Sequence, residues 1–238
     1  MKALARAFCA VAIYITLHSL ASAQIVIGEV LPTQGPPASV TRPLSEGAAA
    51  YVDALNRAGG FKGQKIEIVT RDDGFQPQRT LDLMHEIEQQ RHPVAFINTS
   101  GAPNLTLLSE SGWLREQGIA LVGPFTGSTA VRARKDPMQF FTDVGLDREA
   151  ASMVRQLVSL GTRRIAVLYQ NDGFGRDGLE QVRRVAAEIG AQLVGSGAYD
   201  RTGADTSDAV EAILKARPQA VLMFATGAAA IDSKLSLD

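Results

Sequence analysis

The sequence predicts an α/β fold in which parallel sheets are flanked by helices, arranged as two lobes. Three observations predict it. Between Ile25 and Val122 strand-like and helix-like segments alternate as β-α-β-α-β-α-β, an order that requires a parallel sheet with right-handed crossovers. Two apolar runs, Val94 to Asn104 (VAFINTSGAPN) and Ile119 to Ser128 (IALVGPFTGS), each break into a small polar turn containing glycine. This is how a buried strand ends against a helix. After Val144 the same cycle begins again, so Val144 to Asp147 is read as a crossing into a second lobe.

Each element follows from its local chemistry. Ile25 to Leu31 (IVIGEVL) is a strand, and the loop after it, PTQGPPASVTR, holds three prolines that forbid regular structure. A helix is expected from about Pro43, with Leu44, Ala48, Tyr51, Val52 and Leu55 inward, ending at Gly59-Gly60. Lys65 to Arg71 alternates like a strand. Pro77 then suits the first position of a helix that runs to about Arg91, with Leu81, Met84 and Ile87 inward. The strand at Val94, a helix from about Pro103 to Gln117 and the strand at Ile119 complete the first lobe, residues 24–143. The second lobe, 144–238, begins with a helix from about Arg148 to Leu160 and the strand Arg163 to Gln170. The turn NDGFGRDG leads to a helix from about Leu179 to Ile189, and the strand AQLVGS follows. A helix from about Thr206 to Ala216 and the strand Gln219 to Ala225 come last.

Ligands in open parallel sheets gather beyond the carboxyl ends of the strands. The backbone N–H groups of Ser100, Gly101 and Ala102 are placed there to meet a small anion. Ordinary strand-to-helix turns would have the same composition, so the turns alone do not decide.

The ends and the composition narrow the function classes. Residues 1–23 carry Lys2 and Arg6, an apolar run from Ala7 to Leu17 and an Ala-Ser-Ala exit, the layout of a secretory signal peptide. The one cysteine, Cys9, lies inside that segment, so the exported chain has no disulfide and is stabilised by its core. Removing Lys2 and Arg6 takes the formal net charge from −1 to −3, and no basic block remains, which argues against nucleic acid as a partner. His85 and His92 stand alone, without cysteines to complete a metal site; no cofactor is expected.

Several longer stretches then carry a resemblance. IVIGEVLPTQG, NRAGGFKGQKIEIVTRDD (Asn56 to Asp73), Gln76-Pro77, GPFTG (Gly123 to Gly127), GLD (Gly145 to Asp147) and RRIAVLYQNDGFGRDGLEQV (Arg163 to Val182) occur in the order and spacing of one family. The chain resembles the periplasmic solute-binding proteins of ABC transporters, in the leucine/isoleucine/valine-binding class with the type I binding-protein fold. The resemblance implies a monomeric, non-enzymatic binder that closes over an amino-acid-like ligand and delivers it to a membrane permease. It implies that the ligand's carboxylate is held at Ser100, Gly101, Ala102, Thr126 and Gly127, and that Phe174 of the second lobe covers the ligand. The departures are that Thr226, Gly227 and Ala228 stand where the family often has an aromatic residue, and that the chain ends before the expected partner of the ligand's ammonium and before the return to the first lobe. A shortened form with an incomplete second lobe and uncovered apolar faces is therefore expected.

Three other readings compete. Gly173, Gly175 and Gly178 fit G-x-G-x-x-G, with Asp200 as a ribose acid, which would suggest a dinucleotide-binding dehydrogenase; Gln170 to Asp172 intervene between strand and first glycine, and export works against it. A secreted hydrolase lacks both a G-x-S-x-G elbow and a base beside a nucleophile, and Asp72 and Asp73 read as turn and helix-cap residues. A ligand-sensing receptor of the same fold would share the binding chemistry.

Overall fold

The computed structural model describes residues 24–200 and 205–225, and in it the strands form two separate, wholly parallel sheets. The signal-peptide reading of residues 1–23 and the turn Thr226 to Ala228 lie outside the described residues.

The five-stranded sheet has the order β2-β1-β3-β4-β5. It comprises β1 (Ile25–Leu31), β2 (Ile66–Asp72), β3 (Ala95–Ile97), β4 (Ala120–Val122) and β5 (Gln139–Phe140). Its register pairs Ile27 with Ala95 and Ala95 with Ala120, so all the carboxyl ends lie along one edge. The helices between are α1 (Ala38–Arg57), α2 (Pro77–Arg91), α3 (Ala102–Ser111), α4 (Trp113–Gln117) and α5 (Thr129–Ala133). Phe96, Leu105, Leu108, Leu114, Leu121, Met84 and Ile87 are fully buried in one cluster. Removing each such side chain from water contributes about 2 kcal/mol.

The three-stranded sheet has the order β7-β6-β8, with β6 (Arg164–Gln170) central between β7 (Gln192–Tyr199) and β8 (Ala220–Phe224). Its helices are α6 (Leu146–Ser159), α7 (Gly173–Ile189) and α8 (Ser207–Lys215). Apolar side chains cover both faces. Ile165 and Val167 pack with Val154, Val182 and Phe224, while Ala166 and Leu168 pack with Tyr199 and Ile213. That alternation along β6 is why its sequence reads as a continuous apolar run.

The elements differ from the sequence reading in four places. Helix α1 begins at Ala38, and Pro43 lies inside it. Pro36 and Pro37 precede the first turn, where no N–H is needed, and Thr41 Oγ1 donates to the Pro32 carbonyl to hold that turn. Tyr51, expected inward, is 72% exposed. The helix expected from Pro103 to Gln117 breaks at Gly112, whose φ of 72° ends α3 and restarts the chain as α4. Helix α7 begins at Gly173, inside the segment read as a turn, because Asp172 caps it by accepting from the N–H groups of Phe174 and Gly175 at 3.0 and 3.1 Å.

Candidate functional site

The carboxyl edge of the five-stranded sheet gathers the turns after β2, β3 and β4. Beyond β3 and β4 the pairing continues as an isolated bridge between Ser100 and Phe125. Phe125 N–H donates to Thr99 O at 2.8 Å, and Gly101 N–H donates to Phe125 O at 3.1 Å. The two turns are thus locked side by side. Gly101 was expected to offer its N–H to a ligand, and here the structure corrects the reading: the pairing with Phe125 consumes that group. Gly101 serves by close approach instead, because its φ is 100° and a Cβ there would lie 2.6 Å from the Phe75 ring.

The same pairing sets the turn of Ser100 and Ala102 beside the turn of Thr126 and Gly127. Ser100 and Thr126 are almost fully buried, and Ala102 and Gly127 are half-buried. Among the described residues the N–H groups of Ser100, Ala102 and Gly127 donate to no protein acceptor. Unpaired backbone donors in such residues are uncommon. Behind the turn, Thr126 O accepts from Arg132 Nε and Nη2 at 3.2 and 3.0 Å, and Gly127 O accepts from Leu146 N–H at 2.8 Å. Arg132 also donates to Asp143 O at 3.0 Å and stacks on Phe141, with its guanidinium carbon 4.2 Å from the ring centroid.

Phe174 is not in a loop. It occupies the first turn of α7, half-buried against the second core, with its ring 6.3 Å from that of Phe224 at an interplanar angle of 69°. The glycines around it have packing roles. A Cβ on Gly175 would lie 2.0 Å from Gln170 O, and one on Gly178 would lie 2.4 Å from the Phe224 ring. Two of the three glycines of GFGRDG therefore let the helix close on its sheet.

Two buried polar groups near this edge escaped the sequence reading. Asp73, expected as a helix cap, is fully buried and accepts from Thr80 Oγ1 at 2.7 Å, Asn104 Nδ2 at 3.1 Å and Phe75 N–H at 2.8 Å, tying β2, α2 and α3 together. The cap position of α2 is Gln76. Burial pushes the Asp73 carboxyl above its ordinary value, against the opposing pull of those three hydrogen bonds, and neighbouring Asp72 adds to the rise. Asp72 keeps its expected turn role, accepting from Gly74 N–H at 3.1 Å and Thr33 N–H at 2.9 Å. Glu29, in the middle of β1, is also fully buried. It accepts from Ser45 Oγ, Thr70 Oγ1 and Asn98 Nδ2 at 2.6, 2.8 and 2.8 Å. An acidic residue amid IVIGEVL was the visible signal that this strand faces a polar pocket. Elsewhere, His85 lies against Trp113, with ring centroids 4.7 Å apart, and His92 ends α2.

The sequence model of the family described as periplasmic binding protein matches residues 24–233. Leu/Ile/Val-binding protein homolog 3 of Brucella melitensis biotype 1 is 28% identical over 176 residues, which are 72% of this chain and 46% of the relative. The leucine-, isoleucine-, valine-, threonine-, and alanine-binding protein of Pseudomonas aeruginosa is 23% identical over 195 residues, 80% of this chain and 51% of the relative. Among solved structures, a substrate-binding periplasmic protein from Ralstonia solanacearum superposes with a TM-score of 0.82 at 31% identity, over 90% of this chain and 60% of that one. The chain spans about half the length of the curated relatives it matches. By their names the first two relatives bind amino acids and the third binds a substrate.

Proposed function

This chain belongs to the periplasmic binding protein family, with the parallel sheets of part of the two-lobed type I fold, and we propose that it is the solute-capturing component of an ABC transporter. In this reading it works in the periplasm and hands its solute to a membrane permease. The solute is a small carboxylate-bearing molecule of the amino-acid class, with the branched-chain amino acids first among them, as the names of its relatives suggest. The carboxylate sits at the carboxyl edge of the five-stranded sheet, on the N–H groups of Ser100, Ala102 and Gly127 and the hydroxyls of Ser100 and Thr126. Phe174 flanks the solute from the second lobe.

The observation that supports this reading best is the locked pair of turns. The bridge between Ser100 and Phe125 holds the two turns side by side, and among the described residues the N–H groups of Ser100, Ala102 and Gly127 donate to no protein acceptor. Fixed donors around a small volume suit a carboxylate and require little reorganisation on binding.

Thermal unfolding of the chain with millimolar leucine, isoleucine, valine, threonine and alanine, each alone, tests the proposal. A solute present at a hundred times its Kd stabilises the native state by about 2.7 kcal/mol, so one of these is expected to raise Tm by several degrees. Ser100→Ala and Gly127→Pro are expected to abolish the rise. A cooperative transition that no carboxylate moves would overturn the reading.

A further inference from the structure

The two sheets meet at a second place besides the chain crossing. Asp177, on α7 one turn beyond Phe174, reaches Thr129 at the start of α5, two residues beyond Gly127. Its Oδ2 accepts from Thr129 N–H at 2.6 Å and its Oδ1 from Thr129 Oγ1 at 2.7 Å. Gln181, one turn further along α7, donates to Asp177 Oδ1 at 3.0 Å and supports the carboxylate from its own helix. Both clasp residues are half-buried, and 48 positions separate them in sequence. Among the described residues Asp177 forms no ion pair, and its carboxylate accepts from the N–H, hydroxyl and amide of this one contact. A two-point bond to an ionised acceptor is strong and fixes orientation. Nearby, α3 also touches α7.

We propose that Asp177 is a positioning residue. Its clasp on Thr129 sets the α7 turn that carries Phe174 against the turn of Thr126 and Gly127, and so holds the two halves of the ligand site in one relative placement. The crossing bond from Leu146 N–H to Gly127 O holds the sheets at the chain connection alone. A second point, on a different helix, is what turns a pivot into a defined angle. The clasp joins groups carried by different sheets, so a rotation that draws α5 away from α7 must break it. It thereby weights the equilibrium between lobe arrangements.

This inference rests on the two-lobed binding reading for its purpose, but its test needs no solute, so the two can fail separately. With Cys9 replaced by serine, cysteines placed at the exposed positions Gln90 on α2 and Glu211 on α8 carry spin labels, and their separation is measured in ligand-free protein. The unaltered clasp is expected to give one narrow distribution. Asp177→Asn is expected to broaden it and move its mean by several ångström, and Thr129→Val to do so less, since its N–H survives. The double variant should go no further than Asp177→Asn alone, because both changes break the same contact. Cooperative melting of each variant guards against a folding effect. Unchanged distributions in folded variants, or additive shifts, would overturn the proposal. So would loss of the fold in both single variants, which would make the contact part of the core.

Discussion

The two sheets end in different ways at their carboxyl edges, although they are built from the same alternation of strand and helix. In the five-stranded sheet the strand-to-helix turns are full of left-handed backbone: Gly74 and Phe75 after β2, Asn98 and Gly101 after β3, and Gly123 after β4. In the three-stranded sheet the turn after β6 contains none, and Asp172 caps α7 in a regular way. The left-handed residues there, Gly161, Gly190 and Arg217, sit at the opposite edge, where helices return to strands. Left-handed non-glycine residues carry a cost of about 1 kcal/mol or more and persist where the surroundings over-determine them. The difference teaches where left-handed backbone serves a buried bond: at the carboxyl edge of the five-stranded sheet Phe75 N–H donates to buried Asp73 and Asn98 Nδ2 to buried Glu29, whereas Lys62, His92, Lys135 and Arg217 stand in helix-to-strand turns at the amino edges.

The largest test of that contrast is Gly175→Val. If the second edge is a close-packed cap, a side chain forced against Gln170 O should cost about 3 kcal/mol, read as a lower urea midpoint; a loss under about 1 kcal/mol would mean that this edge is loose. Next comes Asn98→Gly. Glycine relieves the φ of 61° but removes the donor to buried Glu29, so a net loss of about 2 kcal/mol is expected, and a gain would show that the side chain was not the reason for the strain. Asp73 adds a sign rather than a level. Its carboxyl titrates higher in the folded chain than unfolded, so the folded state binds the extra proton, and stability falls as pH rises from about 3.8 through the raised folded value. Stability measured against pH should flatten in that window in Asp73→Asn; an unaltered slope would contradict the assignment. The smallest effect is Arg217→Gly, at the amino edge, where the left-handed residue begins a helix-to-strand turn. It should gain about 0.5 kcal/mol, since no buried bond depends on that side chain, and a clear loss would erase the distinction between the edges.

Much of the architecture was legible because it rests on local patterns. Pro77 announced the first residue of α2, and the apolar runs announced β1, β6 and β8. Where glycine and proline were read as breakers, the reading stopped short. Pro43, expected at the start of α1, lies within it; GFGRDG begins α7 because a capping Asp172 and tight packing outweighed propensity. An aspartate immediately before Gly173 was the cue for that start. The pairing of the Ser100 and Thr126 turns could be anticipated from the order of strands and from resemblance. The loss of Gly101's N–H could not, since it depends on how far β3 and β4 continue to pair. Asp73 with Asn104, Glu29 with Asn98 and Asp177 with Thr129 lie far apart in the chain, and no local pattern marks such pairs.

The Arg132 contact has a chemical consequence for the turn it supports. The Thr126 carbonyl and the Gly127 N–H belong to a single peptide group, conjugated through its C–N bond. A guanidinium lodged on the oxygen draws electron density toward that end and leaves the nitrogen's hydrogen more positive. The next peptide repeats the pattern: Leu146 N–H polarises the Gly127 carbonyl, and Ser128 N–H on its far side donates to Thr126 Oγ1 at 3.2 Å. An anion that takes the Gly127 N–H therefore meets an acidified amide whose strength is tuned from behind, by a residue it never touches.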